Sequence, residues 1–153
     1  MRVLGWAILV VVVLVAALAA YVRLAPSDPA RWHTDPAEAE PGPGRFVVKP
    51  AGGDTDGPLL AMPPREALAA LDAVARSTPR TRVLAGSVEE GRITYVTRSA
   101  LWGFPDYTTA EAVPAEGGAR LVVFARLRFG ESDMGVNAAR VRGWLQRLER
   151  QEG

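Results

Sequence analysis

The sequence has no cysteine and only one histidine, His33. Without thiols there is no disulfide, no thiolate nucleophile and no Cys-ligated metal site. One imidazole excludes multi-histidine metal centres and leaves a Ser-His-Asp triad only a residue in a proline-rich stretch to draw on. An excess of charge is missing too. Setting aside Arg2 and Arg23, residues 24–153 carry 16 basic and 17 acidic side chains. Nucleic-acid binding requires a basic face, so no nucleic-acid partner is expected. There is no phosphate-binding glycine loop, no nucleophile–base pair and no internal repeat, and no cofactor or metal is expected. DTDG, starting at Asp54, has the opening of an EF-hand loop. Its twelfth position is Arg65 where a glutamate is needed, so the stretch reads as a turn.

What the sequence has is one long apolar run. Val3 to Val22 reads VLGWAILVVVVLVAALAAYV, without a charge. Some 20 helical residues at about 1.5 Å each span a bilayer core of about 30 Å. Arg2 and Arg23 flank the run, and Trp6 and Tyr21 lie near its ends, as interfacial aromatics do. Ala17-Leu18-Ala19 resembles a signal-peptidase site. The run exceeds the usual 7–15 or so residues of a signal sequence, which favours an uncleaved anchor over residues 1–23. Flanking charges give nearly a tie for orientation. A signal-like anchor with a long polar segment behind it usually exports the rest of its chain, and a composition rich in Ala, Arg, Gly, Val and Pro suggests a bacterial source. The expectation is a single-pass inner-membrane protein with its domain facing the periplasm and the membrane, through residues 3–22, as its first partner.

Residues 24–44, LAPSDPARWHTDPAEAEPGPG, contain five prolines and read as an extended linker with Trp32 and His33 near the membrane or at a domain edge. The domain is expected over 45–150. Phe46–Lys49 is a strand. Pro63-Pro64 opens a helix whose Leu68, Leu71 and Val74 share one face, and Pro79 ends it. Thr81–Glu89 and Arg92–Ser99 form a hairpin, followed by strands over Tyr107–Val113 and Ala119–Phe129. In the last strand Leu121, Val123, Ala125, Leu127 and Phe129 suit a core, and the alternate Arg126 and Arg128 suit water. Val141, Trp144, Leu145 and Leu148 place one apolar stripe on a final helix over about Asn137 to Arg150. The fold class is α+β: an antiparallel sheet of about five strands packed by two helices.

Two segments stand out, Thr97–Asp106 (TRSALWGFPD) and Glu131–Val141 (ESDMGVNAARV). Together they resemble the bacterial and plastid family called domain of unknown function 1499, whose members show an Arg-rich strand with an FPD turn and a later S-D-L-G-V-N-R-x-R-[IV] run. Met134 replaces the usual leucine, and Ala138 stands where a basic residue is common. The resemblance covers about residues 45–149. It implies a fold and often a membrane or exported location, and brings no activity.

Read physically, Ser132 and Asp133 are placed to accept local backbone N–H groups, Gly135 to hold a positive φ, and Asn137 to cap the helix. The alternative is a cleft in which Arg98, Asp106, Asp133, Asn137 and Arg140 bind a small ligand, lipid headgroup or envelope protein. Phe104 is expected in the core, with Asp106 bonded within its own turn. Leu101 and Trp102 are expected to pack inside, with an exposed apolar lip as the alternative. The functional expectation is thus a membrane-tethered binding or interaction module. The alternatives are a hydrolase using Asp106 and Asp133 as acid and base, and a purely structural envelope protein.

Overall fold

The computed structural model describes residues 2–152. Helix α1 (Arg2–Leu24) is exposed along nearly its whole length and is long and apolar enough to cross a membrane. A short helix α2 (Pro29–Trp32) comes next, capped by Asp28, whose carboxylate accepts from the Ala30 N–H at 3.0 Å. The strands are β1 (Arg45–Val48), β2 (Leu59–Leu60), β3 (Thr81–Ser87), β4 (Arg92–Arg98), β5 (Pro105–Ala115) and β6 (Gly118–Leu127). Helix α3 (Pro64–Ser77) precedes β3, and helix α4 (Val136–Glu152) ends the chain.

All pairings among the named strands are antiparallel. The order is β1-β6-β5-β4-β3, with β2 also on β6, so β3 to β6 is a meander and the chain enters along its far edge. Pro64 tolerates the first turn of α3 because its missing N–H would have no partner there. Leu68, Leu71, Val74 and Ala75 turn inward from α3, and Val141, Trp144, Leu145 and Leu148 from α4. They meet Phe46, Val48, Ile93, Tyr95, Leu121, Val123 and Ala125 from one face of the sheet in a single core. Tyr95 and Trp144 meet edge to face at 5.8 Å. Each polar end finds a partner: the Tyr95 hydroxyl donates to Asp72 and the Trp144 indole N–H to Thr78.

The other face corrects the sequence reading. Residues 24–44, expected as a linker, lie across the sheet as a belt. The Trp32 ring stacks on Tyr107 at 3.9 Å and is 8% exposed. Ala39 packs on Val47 and Phe124. His33 Nδ1 pairs with the Thr94 hydroxyl at 2.8 Å, and the Ser27 hydroxyl with that of Tyr107 at 2.7 Å. Arg92 bridges Asp35 and Glu111. Arg126, expected to meet water, is therefore buried, as are Val122 and Phe124 on the same face. Gly86 marks how close the belt runs. It holds φ +78°, and a Cβ there would overlap the Arg92 carbonyl oxygen and crowd the His33 ring.

Arg126 latches this face. It donates to the Trp32 carbonyl, to Thr34 Oγ1 at 3.2 Å and to Thr109 Oγ1 at 3.3 Å, and its guanidinium lies 4.3 Å from the Phe124 ring centre. Burial, helped by Arg45, pushes its pKa down to about 10, still charged at neutral pH. If the belt is part of the folded unit, Trp32→Ala should cost about 3 kcal/mol and lower the melting temperature by about 10 °C. Thermal unfolding of the full chain in mild detergent, followed by near-ultraviolet circular dichroism, checks this. A free linker would leave the midpoint unchanged.

Candidate functional site

At the end of the sheet nearest α1, three turns converge: Thr78–Arg80 after α3, Ser99–Phe104 between β4 and β5, and Gly130–Gly135 before α4. The last is built as its sequence suggests, with one exchange of roles. Ser132 Oγ accepts from the Met134 N–H at 3.2 Å, and Gly135 holds φ +81°. Asp133, not Asn137, caps α4. Its two carboxylate oxygens accept the N–H groups of Gly135 at 3.1 Å and Asn137 at 2.7 Å. These bonds favour the ionised form and hold its pKa below the ordinary value, against the opposing effect of its partial burial. Asn137 sits a residue inside the helix, fully buried, and its side-chain oxygen accepts from Arg140.

Arg140 reaches from α4 to Asp106 on β5 at 3.4 Å, so Asp106 pairs across the fold and not within its own turn. Asp106, Arg140, Asn137 and Asp133 thus form one connected chain of polar groups. Both members of the ion pair are largely buried. Desolvation raises the Asp106 pKa against the pull of Arg140 and lowers that of Arg140 against the pull of Asp106. The Arg140 side chain is 10% exposed, and its Nε–H has no hydrogen-bond partner among the described residues. A buried guanidinium with an unused donor is an unfinished arrangement. The expected acid–base pair takes a different form, because Asp133 spends both oxygens on backbone N–H groups and Asp106 faces an arginine.

Arg98 lies apart from that chain. Its guanidinium donates to the Gly103 carbonyl at 2.8 Å and reaches the Val22 carbonyl at the end of α1, 3.5 Å away. From the other side Arg23 donates to the Leu101 carbonyl at 3.0 Å. The Ser99–Phe104 turn is thereby tied to α1. Leu101 and Trp102, expected inside, are 74% and 45% exposed. Backbone carbonyls are what this turn offers its arginines, and its apolar side chains are left pointing away. Phe104 is half-buried against Phe129, which in turn meets Tyr21 of α1.

The turns enclose a cleft of about 530 Å³ lined by Arg80, Arg98, Arg140 and Arg147 with Thr78, Thr97, Ser99 and Asp106. Beside it a second hollow of about 560 Å³ shares Arg80, Arg98 and Ser99 and adds Arg23 and Arg82. Among the described residues, Asp106 is the only carboxylate lining either one, and it serves Arg140. Arg23, Arg80, Arg82, Arg98 and Arg147 have no ion-pair partner among those residues. The structure thus gathers Arg98, Asp106 and Arg140 of the expected set in the cleft, with Asn137 and Asp133 supporting Arg140 from behind. The sequence reading missed Arg23, Arg80, Arg82 and Arg147. Arg147 lies seven residues after Arg140 on α4, two turns along one face, and that spacing was a readable signal. Arg80 follows Pro79 with φ +61°, and nothing in its sequence surroundings marks it.

The raised pKa of Asp106 fixes the sign of one pH effect. A carboxyl whose folded-state pKa lies above its unfolded value stabilises fully below that unfolded value. The contribution is lost as pH rises through the folded value. Asp106→Asn removes this loss. The stability difference between variant and wild type should therefore move in the variant's favour between about pH 3 and pH 7. Thermal melts of both proteins across that range measure it, and a flat difference would mean that Asp106 is not desolvated.

The family described as Protein of unknown function (DUF1499) matches residues 24–148, which takes in the belt as well as the two signature segments. No curated protein matches the sequence. The crystal structure of protein MLL2253 from Mesorhizobium loti is similar at a TM-score of 0.48 and 13% identity, covering 71% of this chain and 98% of that one. With the signature residues and most of its length inside one family's bounds, the chain belongs to the DUF1499 family.

Proposed function

We propose that this is a membrane-tethered module that holds a small anionic group, phosphate or carboxylate, in the arginine cleft. The observation that carries the reading is the lining itself: four arginines against one carboxylate, which is already paired. Guanidinium groups present several N–H donors in a plane and match oxyanions in geometry as well as charge. Arg140, already paired with Asp106, lines the cleft, and the exposed Arg80 and Arg147 bring it charge that has no ion-pair partner among the described residues. Inorganic phosphate titrated into the full chain in zwitterionic micelles should bind with measurable heat, and more weakly as salt is raised. Arg80→Ala and Arg147→Ala should each weaken binding several-fold without loss of fold, since both side chains are exposed. Absence of phosphate and carboxylate binding at low salt would remove the proposal.

The same reading sets the tether in a bacterial inner membrane with the domain on the periplasmic side. Its support is the length and apolarity of α1 and the long segment behind it. Absence of cysteine makes the test clean. Glu116→Cys, on the exposed β5–β6 turn, should react with a membrane-impermeant maleimide in intact spheroplasts. Labelling only after lysis would put the domain in the cytoplasm.

A further inference from the structure

We infer that the anion is the phosphate of an anionic phospholipid from the leaflet in which α1 ends, held where the cleft and the hollow beside it share Arg80 and Arg98, with an acyl chain lying between α1 and the Leu101–Phe104 turn. This rests on the cleft being an anion site, and it goes further by naming the ligand class and where its apolar part lies. A groove of about 270 Å³ runs between Val15, Leu18, Ala19 and Val22 of α1 and the rings of Trp102 and Phe104. The seven-residue step from Val15 to Val22 corresponds to about 10 Å along a helix axis. With α1 spanning a bilayer, that wall of the groove lies in hydrocarbon, and the material available to fill it is lipid tail.

The turn is held in this position by polar clamps. Arg23 and Arg98 each spend a donor on a carbonyl of the turn, Leu101 and Gly103 respectively. A guanidinium has five N–H donors, so both keep donors for a phosphate. Gly103 holds φ +75°, and a Cβ there would come within 3.1 Å of the Arg23 side chain, so the turn sits close against the end of α1. Head and tail sites meet across this one residue. Gly103 lines the arginine hollow with Arg23 and Arg98, while its neighbours Trp102 and Phe104 line the apolar groove. Leu101 and Trp102, exposed in water, gain an apolar environment once the turn dips into the interface, where tryptophan is favoured.

The test uses the full chain in nanodiscs of equal phosphatidylglycerol and phosphatidylcholine, released into a native mass spectrometer. The free headgroup probe is sn-glycerol 3-phosphate, added to discs of phosphatidylcholine alone. One phosphatidylglycerol should stay with each chain in preference to phosphatidylcholine. The double change Leu101→Ser with Trp102→Ser should lower that retention about tenfold and leave glycerol phosphate binding unchanged. Ala19→Trp fills the groove from the helix side and should have the same effect. If glycerol phosphate binds but phosphatidylglycerol is retained no better than phosphatidylcholine, the cleft is an anion site and the lipid inference is overturned. If neither probe binds, both readings fall together.

Discussion

A guanidinium stripped of water must find acceptors for its N–H groups or lose the free energy of its hydration. Arg126 is 7% exposed, and beside the Phe124 carbonyl of its own strand its acceptors are the Trp32 carbonyl and the Thr34 hydroxyl of the belt, with Thr109 from the neighbouring strand. The belt and this arginine therefore need each other. Without the belt Arg126 would point into water, and without Arg126 the carbonyl of Trp32 would lose a charged donor. Arg128 repeats the device two residues on, donating to the Pro26 carbonyl at 2.7 Å and the Tyr107 hydroxyl at 3.1 Å. The belt in turn fixes where α1 leaves the domain, and so which end of the sheet stands next to that helix. The arginine cleft, built by the turns and α4, stands at that same end.

The elements legible in the sequence are those whose pattern depends on one partner surface. The stripe of Val141, Trp144, Leu145 and Leu148 needs only a core on one side of a helix, and it is buried as expected. Leu121, Val123 and Ala125 likewise alternate into the helix-covered face. The second face was not legible, because its cover is a proline-rich segment with almost no periodicity. Prolines at 26, 29, 36, 41 and 43 deny it a strand ladder or a long helix. It adheres through isolated contacts: one stacked ring, a few carbonyls and hydroxyls, and one carboxylate. None of these has a sequence period. Arg126 on an alternating strand reads as solvent-facing, because the carbonyl that receives it lies 94 positions away.

The site was legible in part for a related reason. Asp133, Asn137 and Arg140 lie within eight residues, and helical geometry brings the last two onto one face. Assigning the cap was harder, since Asp133 and Asn137 are both good capping residues. The choice depends on where the left-handed turn at Met134 and Gly135 sets the first helical residue. Leu101 and Trp102 were misread because apolar side chains are ordinarily assigned to a core. Here the turn's backbone is what the fold uses, and its carbonyls face Arg23 and Arg98.

Charge in this chain is arranged differently in sequence and in space. Insertion reads the basic residues that flank an apolar segment, and around α1 these are few and nearly balanced. Arg80, Arg98 and Arg147 lie far along the chain, where they weigh little in that decision. Folding then carries Arg80 and Arg98 to the end of α1, beside Arg23, with Arg147 across the adjoining cleft. A cluster of this sign next to the helix during insertion would bias its own side of the bilayer toward the cytoplasm. Delivered by the folded domain, it would arise after any insertion of α1, a helix whose length and apolarity suit a membrane. Its field at close range to the bilayer is worth most where anionic headgroups stand within a Debye length, about 8 Å in physiological salt. That holds on either side of a bilayer, so the electrostatic role proposed for the cleft does not depend on the direction in which α1 would insert.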